Sequence, residues 1–94
     1  MTLGTRLKEL RLAKGLSVRD AATLVGKSAG YISQIEVRGE IPTCELLLVI
    51  SDKYGADFEE LLKLAKKEQV RRAVQEIDAK HESALTLYRR KRRT

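Results

Sequence analysis

The sequence predicts an all-α protein of five helices, the fifth prolonged into a long C-terminal helix. Three observations carry that expectation. Apolar residues recur every three or four positions and nowhere alternate over a useful length. Glycines and hydroxyl or acidic residues fall where helices would end and begin. Neither Gly nor Pro occurs from Phe58 to Arg92.

Leu3, Leu7 and Leu10 lie four and three residues apart, with Arg6, Lys8, Glu9 and Arg11 between them, so a first amphipathic helix spans Leu3 to Lys14. Gly15 ends it, and Ser17 is a good N-cap for a short second helix holding Ala21, Ala22, Leu24 and Val25. Gly26-Lys27 breaks that helix, and Ser28 caps a third, residues 28–36, whose inward positions are Ile32 and Ile35. Val37 to Pro42 has loop chemistry, punctuated by Gly39 and Pro42, and Thr43 caps a fourth helix from Cys44 to Tyr54. Gly55 closes it. Asp57 and Glu60 have the spacing of a capping box opening the fifth helix, which runs toward Arg92 unless it breaks near Lys66-Glu68.

At 94 residues the chain suffices for one small domain and an appendage but not for two cores. Its composition, 43% apolar and 34% charged, is that of a folded protein. One Cys (Cys44) and one His (His81) cannot form a disulfide or a Cys/His zinc site within the chain, so no metal and no cofactor is expected. The longest strictly apolar run, Leu46 to Ile50, is too short to cross a bilayer, and no apolar signal segment opens the chain, which leads us to expect a cytoplasmic, nucleoid-associated protein and no membrane partner. Gly26-Lys27-Ser28 resembles the end of a phosphate-binding loop, but Ala21 stands where that loop needs glycine, and the triplet joins two helices. His81 has no partner in a recognised triad pattern and Cys44 reads as a buried small hydrophobe, so no catalytic residue is assigned and no enzyme is expected.

The net charge of +6 is concentrated in a tail. Residues 89–93 read Arg-Arg-Lys-Arg-Arg, while residues 1–88 hold 14 basic and 13 acidic side chains. The tail reads either as a solubilising helix end or as an arm that finds phosphates without reading sequence.

Reading a duplex needs a short helix held across a tight turn by the helix before it, with its first residues reaching base edges in the major groove. Residues 17–36 supply that arrangement. With Arg6-Leu7, Leu10-Arg11, Gly15-Leu16-Ser17, Ala22, Gly26, Ser28, Tyr31-Ile32-Ser33-Gln34-Ile35-Glu36, Gly39, Pro42-Thr43, Leu47, Ile50, Tyr54-Gly55 and Leu61-Leu62, the chain resembles the lambda-repressor-like helix-turn-helix regulators of Cro or xenobiotic-response-element type. The resemblance covers residues 3–62 in order and without insertion. It implies a five-helix DNA-binding domain acting as a homodimer on a palindromic operator.

Carried over position by position, the resemblance puts Ser28, Ala29 and Gly30 where the family places base readers, and the next exposed turn offers Ser33 and Gln34. The Gln34 amide suits a bidentate pair with adenine, and Ala29 suits a thymine methyl. Gly30 costs a helix about 1 kcal/mol relative to Ala, so it answers either a close approach to DNA or crowding against the second helix. Phosphate contacts fall to Lys27, Arg38, the Gly39 amide, the helix N-terminus at Ser17 and Val18, and Arg19; Tyr31 points either to a phosphate or against the domain. The family often carries Gln where this chain has Val18, and its glycine after the third helix is displaced by one, to Gly39. Arg11 and Glu36 match positions that form an internal ion pair in several members, a structural role.

The fourth helix has surplus apolar residues in Leu46, Leu48 and Val49. In the fifth, Val70, Val74, Ile77, His81, Ala84 and Tyr88 recur at spacings of 4, 3, 4, 3 and 4, a heptad-like stripe. The stripe serves either a dimer contact, with Val70, Val74 and Ile77 as anchors beside Leu46, Leu48 and Val49, or packing onto its own domain. The expected function is therefore a sequence-specific regulator, a repressor, that binds double-stranded DNA through residues 1–62, with residues 63–94 as a helical extension. The alternative is an antitoxin-like or accessory protein whose C-terminal helix binds a protein partner.

Overall fold

In a computed structural model the protein folds as α1 (Leu3–Ala13), α2 (Val18–Val25), α3 (Ala29–Arg38), α4 (Cys44–Tyr54) and α5 (Phe58–Arg93). The structure describes residues 1–93, and no strand occurs among them.

Each of the first four helices begins at a hydroxyl cap. Thr2, Ser17, Ser28 and Thr43 accept from the amides of Thr5, Asp20, Tyr31 and Leu46, and every acceptor lies 3.0–3.2 Å from its amide nitrogen. At Ser17 the box is reciprocal: its own amide donates to the Asp20 carboxylate at 3.0 Å, which holds that carboxyl below its usual pKa. The cap of α5 departs from the expected box. The Asp57 carboxylate accepts from the Glu59 amide at 3.1 Å, while Glu60 accepts from Arg6 of α1 at 2.7 Å and so ties the two helices together.

The core is built from Leu3 and Leu7 of α1, Ala21, Ala22 and Val25 of α2, Ile32 and Ile35 of α3, Leu46, Leu47, Ile50 and Tyr54 of α4, and Leu61 and Ala65 of α5. Two of these placements correct the sequence reading of α4. Leu46 belongs to the core and is not surplus, whereas Cys44 is exposed. The buried arc is Leu46, Leu47, Ile50, Ser51 and Tyr54, and at 100° per residue Cys44 falls just past its edge. Leu48 and Val49 stay on the surface.

Gly4 sits buried on α1 where that helix crosses the end of α3. A β-carbon there would stand 2.6 Å from the Ile35 carbonyl oxygen and 2.9 Å from that of Glu36, so the glycine lets two backbones touch.

The fifth helix is unbroken through Lys66-Glu68 and spans 36 residues, about 54 Å at 1.5 Å per residue. Its first two turns pack on the domain, but from Gln69 to Arg92 every residue is exposed. The molecule measures 63 × 25 × 21 Å, with a radius of gyration of 18.3 Å, where a compact chain of this size would have about 12 Å. The apolar stripe of α5 does not fold back onto its own domain.

Candidate nucleic-acid interface

The turn between α2 and α3 depends on Gly26, whose φ of +71° and ψ of 35° are left-handed. The next amide, that of Lys27, closes the turn onto the Ala22 carbonyl at 2.9 Å. Ile32 and Ile35 then face the core and fix the roll of α3 about its axis. Gly30, Ser33 and Gln34 consequently all lie exposed.

Val37 shares that face, four and three residues on from Ser33 and Gln34, and is 80% exposed. The sequence reading placed Val37 in a loop after a helix ending at Glu36. The helix runs two residues further because Val37 and Arg38 keep helical geometry and Gly39, at φ +76°, supplies the left-handed stop. The signal for Val37 was present as the complement of the buried spacing, since 30, 33, 34 and 37 alternate with 32 and 35.

The other predicted contacts separate into exposed and engaged groups. Ser28 is exposed; its oxygen caps the Tyr31 amide, and its hydroxyl proton can point outward. Ala29 and Tyr31 are half-buried and pack on the core, so the Ala29 methyl does not project freely as a base reader and the Tyr31 ring lies against the domain. Lys27 lies over the Tyr31 ring, 5.7 Å from its centroid. A β-carbon at Gly30 would meet only Ser28 Oγ, at 3.9 Å, which removes crowding against α2 as its reason. Arg19 and Arg38 are exposed, and Val18 is half-buried at the first turn of α2. Two amides expected to hold phosphate are committed elsewhere: Ser17 donates to Asp20, and Gly39 donates to the Gln34 carbonyl. The Gly39 carbonyl in turn accepts from Arg72 of α5.

Arg11 and Glu36 meet in a bidentate pair, Nε to Oε2 at 2.8 Å and Nη2 to Oε1 at 3.0 Å, while Nη1 of Arg11 donates to the Leu16 carbonyl at 2.8 Å. Their side chains are 6% and 4% exposed. The carboxylate holds the Arg11 guanidinium more firmly protonated than usual. Burial pushes the Tyr54 phenol pKa up, and the Glu36 charge adds to that rise. The pair thus joins α1 to the end of α3 without exposing either charge.

Predicted anchors on α5 stand where a second surface could cover them: Val70, Val74 and Ile77 are all exposed, as are Leu85, Leu87 and Tyr88. No helix among the described residues is long and apolar enough to cross a membrane. Among them there is also no group of three or more His, Cys, Asp or Glu side chains that could hold a metal.

The sequence profile of the helix-turn-helix domain matches residues 2–64. Among solved structures the chain is similar to the clp gene regulator ClgR of Corynebacterium glutamicum, with 31% identity and a TM-score of 0.60 over 83% of each chain. A second ClgR structure gives 30% identity and a TM-score of 0.58 over 70% of this chain and 86% of that one. No curated protein matches. With its glycine turn, its outward α3 face and a profile match across two thirds of its length, the chain belongs to the helix-turn-helix domain family, and its fold is that of a DNA-binding regulator.

Proposed function

We propose that the protein is a sequence-specific transcriptional repressor that binds a palindromic operator as a homodimer, with α3 in the major groove. The observation that carries this reading is the uncharged, exposed face of α3, formed by Gly30, Ser33, Gln34 and Val37 and flanked by Lys27 and Arg38. Such a face suits base edges between two phosphate-bearing strands. Gln34 pairs with adenine, Val37 meets a thymine methyl, and the bare backbone at Gly30 admits a base or sugar at close range. Ser28, Lys27, Arg38 and Arg19 hold the backbone in register, as does the Val18 amide at the start of α2. The similarity to a gene regulator, ClgR, favours the same role here. A repressor function asks least of the protein, because occupying the operator suffices.

Residues 1–62 act as the DNA-binding unit, and residues 63–94 carry the partner surface and the basic tail. The homodimer is held through α5, with Val70, Val74 and Ile77 as anchors and Leu48 and Val49 as the accompanying patch on α4. An exposed stripe of this kind also suits a helix of another protein. Recovery of a stoichiometric second chain on purification would favour that accessory-protein reading.

Selection of bound duplexes from a random pool at near-physiological salt tests the proposal. We expect the wild type to recover an inverted repeat, Gln34→Ala to relax one position in each half-site, and removal of residues 89–94 to weaken binding without changing preference. Ile77→Asp is expected to lower the mass in solution to that of one chain. An unenriched pool would refute sequence-specific binding, and a dimeric Ile77→Asp would refute the assignment of the interface.

A further inference from the structure

Within the exposed stretch of α5, Arg72 reaches back to the domain and does so at the end of the recognition helix. Its Nη2 donates to the carbonyl of Gly39, the left-handed residue that stops α3. A carbonyl at a helix C-terminus carries partial negative charge, which favours a cation there. One turn earlier on α5, the Glu68 side chain is only 12% exposed; it accepts from Arg71 at 2.7 Å and lies 3.8 Å from Arg72 Nε. Glu68 therefore pairs closely with Arg71 and at longer range with Arg72, and its carboxyl sits below its usual pKa, chiefly through the Arg71 hydrogen bond. On the other side Gly39 makes room, because a β-carbon there would stand 2.7 Å from Arg72 Nη2.

The position of this contact along α5 gives it leverage. Ala65 is the last buried residue of α5 among those whose burial is described. At 1.5 Å per residue Arg72 lies about 10 Å beyond it and Ile77, the outermost of the proposed dimer anchors, about 18 Å. One ångström of play at Arg72 thus becomes roughly 1.7 Å at Ile77 in each copy, and about 3.4 Å across the two, close to the ~3.4 Å rise of one base pair.

We propose that Arg72, paired with Glu68, is a positioning residue for operator recognition: it fixes the angle between α3 and the α5 arm, and thereby the spacing at which two copies accept paired half-sites. The proposal rests on the homodimer reading above. It concerns geometry between half-sites and not contacts within one.

The test presents wild type, Arg72→Ala and Arg72→Lys with duplexes in which two copies of the recovered half-site are separated by every spacer length. Binding to a single half-site and the mass in solution are measured alongside. We expect the wild type to favour one spacing about tenfold over its neighbours, and Arg72→Ala to accept spacers one base pair longer and shorter within about twofold of the optimum. Half-site affinity and mass should not change, and Arg72→Lys should recover part of the sharpness. An Arg72→Ala variant that keeps the wild-type tenfold preference for one spacing overturns the proposal. So does a uniform loss that includes the single half-site, which would mark Arg72 as a DNA contact or a fold determinant. A wild type that is one chain in solution and indifferent to spacing overturns the homodimer reading, and the spacing role with it. A DNA-free measurement reads the latch itself, using spin labels at Ser33→Cys and Ser83→Cys in a Cys44→Ser background, diluted with unlabelled chain. Arg72→Ala should broaden the distance distribution, and an unchanged width refutes the latch.

Discussion

Removing the Glu36 carboxylate is the perturbation with the largest expected effect on the fold. Glu36→Ala leaves the Arg11 guanidinium almost wholly buried, still bound to the Leu16 carbonyl but without its counter-charge. Stranding one member of a buried pair costs about 3–5 kcal/mol, a large share of the roughly 5–15 kcal/mol that a small domain has. At about 4–8 °C per kcal/mol for a domain of this size, the thermal midpoint should fall by about 20 °C. Arg11→Met should cost a similar amount, since it strands the carboxylate and leaves the Leu16 carbonyl without its donor. The double variant Arg11→Met/Glu36→Leu removes both charges, and its loss should be smaller than the sum of the two single losses by about 2–3 kcal/mol. Urea unfolding followed by helical circular dichroism measures all four proteins. A loss below about 1 kcal/mol in Glu36→Ala, or single losses that add to within about 0.5 kcal/mol, would show that the pair does not fasten α1 to α3.

Gly30→Ala should raise stability by up to about 1 kcal/mol, because the added methyl meets only Ser28 Oγ at 3.9 Å, while operator affinity falls if the backbone there approaches DNA. Unchanged affinity would remove Gly30 from the interface. Gly4→Ala should do the opposite to stability, since its β-carbon would press on the Ile35 and Glu36 carbonyls; a loss of about 1–3 kcal/mol is expected despite the better helix propensity, and a higher melting temperature would contradict the close α1–α3 contact. The Asp20 carboxyl is held below its usual pKa by the Ser17 backbone N–H and, secondarily, by its hydroxyl. Its contribution is therefore present above the unfolded value of about 4 and is lost as pH falls through the lower folded value. Asp20→Asn should flatten the acid limb of the stability profile, and an equally steep limb would exclude this box as a contributor.

The parts of the fold governed by local chemistry were readable from the sequence. Ser17, Ser28 and Thr43 cap helices because a hydroxyl three residues before an amide does so in most contexts, and Gly26 and Gly55 stop them because few other residues tolerate positive φ. The phase of α4 was not readable in this way. Leu46-Leu47-Leu48-Val49-Ile50 offers apolar residues in every direction, so only packing against α2 and α5 decides that Leu46 turns inward and Cys44 does not. The end of α3 was set by where a left-handed glycine could be accommodated, and with it went the exposure of Val37. Gly4 and Arg72 act across 31 and 33 residues of chain, through a β-carbon that is absent and a guanidinium that reaches a carbonyl. Neither leaves a periodic or short-range trace.

The arrangement of charge around α3 explains why its buried pair matters beyond stability. From Ser28 to Ile35 the helix and its cap carry no ionisable group except the Tyr31 phenol, so the exposed face can meet base edges without desolvating a charge. The cations proposed to hold phosphate lie outside that face, Lys27 before it and Arg38 after it. One anion interrupts this pattern. Glu36, on the recognition helix itself, would repel a phosphate if it turned toward solvent. Arg11 draws it inward, neutralises it and buries it to 4% exposure, so the same contact that fastens α1 to α3 also clears a negative charge from the proposed DNA surface. The remaining ties on α3, from Gly4 and Arg72, also act on its C-terminal half. The helix is thus tied at that end to α1 and α5 while Ala29, Tyr31 and Ile32 hold its N-terminal half against the core, a geometry that leaves Gly30, Ser33 and Gln34 facing outward on a fixed helix.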